Sequence, residues 1–194
     1  MGVWGMKYPN LEFFTGRKRS GKDFCLESLI SFHHLQGDMD IQRLSFSDEL
    51  RRVAHYIYPW LPEEVEDDIK DLPYVHPDNP KGLTPRQIWL HLGSDTGLRY
   101  VQPDLFLSFF KRYQLPLVEQ NPNIHYIVSD LRTPQEYEWA LSTKCPITRI
   151  SKVNRGGIIE DDIEAFIDEM KVDYEFVNPF EGWQPFVKFY RDRK

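Results

Sequence analysis

Five short apolar runs, at residues 11–14, 41–46, 125–128, 147–150 and 174–177, alternate along the chain with segments whose apolar residues recur at helical spacing. Those segments are 22–35, 47–58, 85–92, 104–113, 134–142, 159–170 and 184–191. Strands separated by helices return to the sheet in the same direction, so an α/β fold with a mainly parallel sheet of about five strands, covered by helices, is expected. One stretch breaks the alternation. Residues 61–84 are rich in Pro, Asp and Glu, and Pro73, Pro77, Pro80 and Pro85 stand too close together for a regular element, so the segment reads as a long excursion from the core. No internal repeat or low-complexity tract is present.

At 194 residues the chain suits one domain with a small insertion. Its 41% hydrophobic and 14% aromatic content is that of a globular protein, and nothing approaches the roughly 18 to 20 uninterrupted apolar residues that cross a bilayer. A soluble protein without membrane partners is expected. The first ten residues lack the basic start and apolar stretch of a signal peptide, and Cys25 and Cys145 are too few for a disulfide framework; a cytoplasmic location is the simpler expectation. A formal charge of −6 argues against binding to nucleic-acid polymers. The basic residues therefore serve locally, at 17–22, at Arg51 and Arg52, at 149–155 and near the end, while 63–71 is acidic.

Ligands of open parallel sheets gather at the carboxyl ends of the strands. After the first run comes Gly16-Arg17-Lys18-Arg19-Ser20-Gly21-Lys22-Asp23, with the spacing G-x-x-x-x-G-K between a strand and a helix. A loop that turns tightly at Gly16 and Gly21 points amide N–H groups at phosphate oxygens, Lys22 adds a charge at the β and γ phosphates, and the helix adds its positive dipole end. A nucleoside triphosphate site is the expectation, against a basic loop kept for solubility. Asp23 stands where a magnesium-binding hydroxyl is usual; it would reach the ion through water or position Lys22, or serve simply as a first-turn helix acid. Asp130 closes the apolar run Tyr126-Ile127-Val128 and reads either as a ligand of Mg²⁺ or its water, or as a cap for the helix near Pro134. The six histidines show no metal-ligand spacing, which argues against zinc. Cys25 lies one turn into the loop helix, where burial is expected.

The segment G-R-K-R-S-G-K-D-F resembles the loop of two related P-loop kinase groups that carry Asp after the Lys, the bacteriophage-type deoxynucleoside monophosphate kinases and the animal-type phosphomevalonate kinases. The stretch from Tyr126 through Asp130, Arg132 and Glu136 is similar to a second signature of both groups, an apolar strand followed by D-x-R and an acidic residue near the next helix. Between the two, Arg86 through Leu92-Gly93-Ser94-Asp95 to Arg99, followed by Pro103-Asp104, looks like the R-x-x-x-Q-x-L-G-T-D-x-x-R segment of the deoxynucleotide kinases; Leu90 and Ser94 replace the Gln and Thr of that pattern.

The resemblance implies a P-loop nucleoside monophosphate kinase-like three-layer fold, formed by one domain with a monophosphate-binding insertion at about 47–102 and a short lid at about 151–162. It implies transfer of the γ-phosphoryl group of ATP to a deoxynucleoside monophosphate, with Mg²⁺, in a monomer or homodimer. Gly16, Arg17, Lys18, Arg19, Ser20, Gly21, Lys22, Asp23 and Asn178 would hold ATP. Arg51, Arg86, Asp95, Arg99 and Asp130 would hold the acceptor, and Asp23 and Asp130 the ion. Lys22, Arg132 and Arg155 would act on the transferring phosphate, Arg155 chosen over the neighbouring lid cations Arg149 and Lys152. Glu160-Asp161-Asp162 stands where these families often carry a His and Ser-Glu pattern. Three alternatives stay open: a phosphomevalonate kinase-like enzyme for another small phosphorylated acceptor, an ATP-binding switch or partner-binding protein without turnover, and a slow hydrolase that needs no acceptor. An aromatic pocket at Trp60 or Trp89 would favour a base as acceptor, although both also suit a core.

Overall fold

A computed structural model describes residues 6–66, 69–94, 96–153 and 162–193. The chain forms two compact units, one made of Met1–Ser45 with Lys111–Lys194, the other of Phe46–Phe110. The strands are β1 (Leu11–Thr15), β2 (Asp40–Leu44), β3 (Ile124–Val128), β4 (Ile147–Lys152) and β5 (Tyr174–Asn178). The helices are α1 (Lys22–Gln36), α2 (Asp48–Ile57), α3 (Pro85–Gly93), α4 (Leu105–Phe109), α5 (Leu115–Gln120), α6 (Pro134–Thr143), α7 (Asp162–Glu169) and α8 (Gln184–Asp192).

All five strands lie in one parallel sheet of the first unit, in the order β2-β3-β1-β4-β5. β1 is the central strand, and its five residues are all buried, as expected where helices cover both faces of a parallel sheet. Alternation of side chains along β1 divides the core. Phe14 packs with Leu26 and Leu29 of α1, Ile127, Ile150, Phe176, and Phe186 and Val187 of α8. On the other face Phe13 meets Trp139 of α6 edge-on, and Tyr137 of α6 meets Phe166 of α7. Each fully buried Phe or Leu in these layers contributes about 1.5–3 kcal/mol relative to exposure. The α/β class and the five-stranded parallel sheet expected from the alternation are thus present.

Each expected strand is found. The expected helix at 104–113 is instead α4, a wide π turn at Phe110–Gln114, and then α5, which was not anticipated. Pro116 supplies the reason: it donates no N–H, and its ring crowds the carbonyl four residues earlier, so a continuing helix must widen at that point. The expected helix at 159–170 is described from Asp162 onward, and residues 154–161, which hold most of the expected lid, lie outside the described residues.

The second unit is built on a small core of Ala54, Leu61 and Ile88, flanked by Tyr58, Trp60, Trp89 and Leu92. Thr84-Pro85-Arg86-Gln87 starts α3 with a capping box, Thr84 Oγ1 accepting from Gln87 N while the Gln87 side chain accepts from Thr84 N. Among its described residues the excursion carries no helix or strand, yet it is held in place. The buried Asn79 side chain donates to the carbonyls of Tyr74 and Leu83 and accepts from Leu83 N. Trp60 stacks against His76 at 5.4 Å and against Tyr74 at 5.9 Å, so its ring is used inside this unit as packing.

Candidate functional site

The loop from Gly16 to Gly21 leaves the carboxyl end of the central strand β1 and enters α1. Both glycines are required by their surroundings. A Cβ on Gly16 would lie 2.3 Å from the Ile150 carbonyl oxygen of β4; one on Gly21, whose φ is 81°, would lie 2.3 Å from Asn178 Nδ2. Arg19 also takes a positive φ, 60°, so the loop folds back within a few residues in the manner of anion-binding backbone concavities. No side chain caps α1, whereas α3 and α6 begin with capping boxes. The first-turn amides of α1 are thereby left for another acceptor. Ser20 Oγ is buried within this loop and has no hydrogen-bond partner among the described residues.

Lys22 is buried, and its Nζ lies 2.9 Å from Asp23 Oδ1. Burial pulls the Lys22 ammonium below its ordinary range; the Asp23 and Asp130 carboxylates oppose this, and Arg132 adds to it. For Asp23, burial alone would raise the carboxyl pKa, but Lys22, Arg132 and Arg43 together hold it below the usual value. Lys22, Asp23, Asp130 and Arg132 therefore act on one another at the carboxyl end of the sheet.

The second loop is anchored to the first. Thr15 Oγ1 donates to the Leu131 carbonyl at 2.8 Å, Leu131 N to Phe14 O, and Ser129 N to Leu44 O. Asp130 accepts from Ser45 Oγ at 2.7 Å. The helix-cap alternative for Asp130 fails, because Thr133 caps α6: Thr133 Oγ1 accepts from Glu136 N, and Glu136 Oε2 accepts from the amides of Arg132 and Thr133. Glu136, the acidic residue of the second signature, is thus occupied in the cap. Two groups that sequence reasoning did not single out belong here. Arg43 on β2 donates from Nε to Ser129 Oγ at 2.9 Å, and the Gln114 amide pairs with both backbone groups of Ser45. The available signal for Arg43 was a basic residue next to the carboxyl end of β2, where ligands of a parallel sheet gather.

Other expected ligands have local partners. Arg17 is paired with Asp168 of α7. Buried Arg149 donates to the carbonyls of Ile167 and Met170, so it fastens the end of α7 to β4. Asn178 is buried; its Nδ2 donates to Ser20 O at 3.1 Å and its Oδ1 accepts from Phe180 N at 2.9 Å, which ties the end of β5 to the loop. Lys18, Ser20, Ser151, Lys152 and Asp168 line a recess beside the loop. In the second unit Arg51 lies over the Trp89 ring at 5.3 Å, Arg99 over Phe106 at 5.3 Å, and Arg86 is paired with Asp71. Asp95 and Arg155 lie outside the described residues. Cys25 is buried, and burial pushes its thiol up to about 12 against the opposing charge of Lys22.

Neither a scan against protein-family models nor a search of the curated proteins finds a match to this chain. Among the described residues no helix is long and apolar enough to cross a membrane, and no three His, Cys, Asp or Glu side chains converge as a metal cage. Mg²⁺ does not require such a cage: it is held by one or two carboxylates, by water and by substrate phosphates. Asp23 and Asp130, both within the electrostatic reach of Lys22, supply donors of that kind.

Proposed function

We propose that the chain is a P-loop kinase that transfers the γ-phosphoryl group of ATP to a deoxynucleoside monophosphate. The observation that carries this reading is the placement of buried Lys22 at the uncapped start of α1, beyond a loop that Gly16 and Gly21 allow to lie against β4 and β5. The α- and β-phosphates would rest on the loop amides, and Lys22 would neutralise charge on the β and γ phosphates as the bond to the leaving oxygen lengthens. Asp23 holds Lys22 by its 2.9 Å contact and, with Asp130, would hold the ion that accompanies ATP. That ion, when bound, draws charge from the β- and γ-phosphate oxygens. Arg132, exposed and close enough to act on both Lys22 and Asp23, would meet the transferring group. The acceptor phosphate is ionised at neutral pH, so no general base is needed. Arg51, Arg86 and Arg99 would supply the guanidinium forks that suit a monophosphate dianion.

The test is ADP formation from ATP and Mg²⁺ with each of the four common deoxynucleoside monophosphates. The reading expects acceptor-dependent turnover with at least one of them. ATP binding without turnover on any would remove the deoxynucleotide acceptor and favour another phosphorylated acceptor or a switch.

A further inference from the structure

β5 ends in Asn178, and two residues later Phe180 takes φ 58°, a left-handed conformation that a bulky residue adopts rarely. Phe180 N donates to Asn178 Oδ1, and the same side chain reaches Ser20 O in the phosphate loop through Nδ2. One buried amide therefore fixes both the loop and the residue that carries the ring. The ring lies against the loop: a Cβ on Gly21 would sit 3.2 Å from Phe180 Cε1. Phe180 nevertheless remains 60% exposed, and among the described residues its ring pairs with no other aromatic. Trp183, three residues on and also exposed, differs in that it leans on Phe32 of α1 at 5.9 Å. Uncommon backbone conformations that the surroundings enforce gather at ligand sites, and a large apolar ring kept in water beside an anion-binding loop gains nothing from folding.

We infer that the Phe180 ring is the platform on which the base of the bound nucleotide stacks. This rests on the reading of the loop as a nucleoside triphosphate site and adds the residue that receives the other end of the ligand. The base is flat and uncharged, the phosphates occupy the loop amides and Lys22, and Phe180 is the apolar surface adjoining Gly21 at the start of α1. Stacking on a phenyl ring uses the face of the base rather than its hydrogen-bonding edge.

The experiment is calorimetric titration of the full chain, in the presence of Mg²⁺, with ATP and separately with inorganic tripolyphosphate. Wild type is compared with Phe180→Gly, which removes the ring at a φ that glycine adopts freely, and with Phe180→Trp, which keeps a platform; thermal melts establish that each variant is folded. ATP affinity is expected to fall roughly tenfold in Phe180→Gly and to persist in Phe180→Trp, with tripolyphosphate affinity unchanged in both. Unchanged ATP affinity in Phe180→Gly overturns the platform and leaves the triphosphate site standing. Equal loss of both ligands overturns it too, since the ring would then only support the loop. If wild type binds neither ligand, the triphosphate reading fails and the platform with it.

Discussion

The parallel-sheet unit holds two clusters of charge, and they differ in how completely their groups are used. Toward the amino ends of the strands, the second residues of β1, β3 and β4 are Glu12, His125 and Thr148. The Glu12 carboxylate, almost fully buried, accepts from Thr148 Oγ1, from Tyr190 and from the fork of Arg193, with His125 Nε2 at 3.4 Å. Arg193 Cζ also lies over the Tyr190 ring, 3.6 Å from its centroid. At the carboxyl ends, by contrast, Lys22 and Asp23 pair with each other beside an uncapped helix start and a buried hydroxyl, Ser20 Oγ, that has no partner among the described residues. The first cluster fastens α8 to the sheet. In the second, Ser20 Oγ has no partner among the described residues and no side chain caps α1, the capacity that the proposed reading assigns to a bound phosphate. Charge density alone would have marked both; unspent donors distinguish the second.

The largest expected effect breaks the first cluster. Replacement Glu12→Gln leaves the largely covered Arg193 without its counter-charge and should cost about 3 kcal/mol in denaturant unfolding. The same group sets an acid limit. Burial would raise the Glu12 pKa, but hydrogen bonds from His125 and Arg193, with their charges, lower it from 4.5 to about 2. Because the folded value is the lower one, this stabilisation is complete above the ordinary carboxyl range and is lost as pH falls from about 4.5 toward 2; wild type should show that slope in chemical denaturation, and Glu12→Gln should not. A slope unchanged in the variant would assign acid sensitivity to other groups.

Smaller effects sharpen the contrast at the second cluster. Gly21→Ala places a methyl on Asn178 Nδ2 and demands a left-handed alanine, so a loss of about 1–3 kcal/mol in stability is expected together with weaker binding of tripolyphosphate. Asn178→Leu removes the two hydrogen bonds that join β5, the loop and Phe180, and should cost about 1–3 kcal/mol, read as a lowered melting temperature. If Asn178→Leu melted like wild type and bound ATP equally, the tie between strand and loop would be unimportant.

The strands were legible as short runs between segments of helical spacing, with β1 wholly buried and the edge strands β2 and β5 only in part, and the loop was legible because its glycine spacing predicts tight turns. Long-range polar pairing was not legible. Glu12 is a single acid inside an apolar run, and its partners His125 and Arg193 are 113 and 181 residues away in sequence. Asn178 was expected to hold ATP; its Oδ1 accepts from Phe180 N as a local turn, while its Nδ2 reaches Ser20 O in the loop, a pairing that local sequence does not encode. Asp130 had two readings, and the Thr133–Glu136 box removes the helix cap, which T-P-Q-E already marked in the sequence as a capping signature.

The most direct measurement is the turnover of γ-labelled ATP, with Mg²⁺ and the preferred deoxynucleoside monophosphate, by wild type and by Lys22→Ala at concentrations of folded protein matched by thermal melts. Loss of a positioned charge at the transferring phosphate predicts a fall in kcat on the order of 100-fold or more, with label passing to the acceptor in wild type. Label transfer that proceeds equally well in Lys22→Ala would contradict the account and move the chemistry away from this loop.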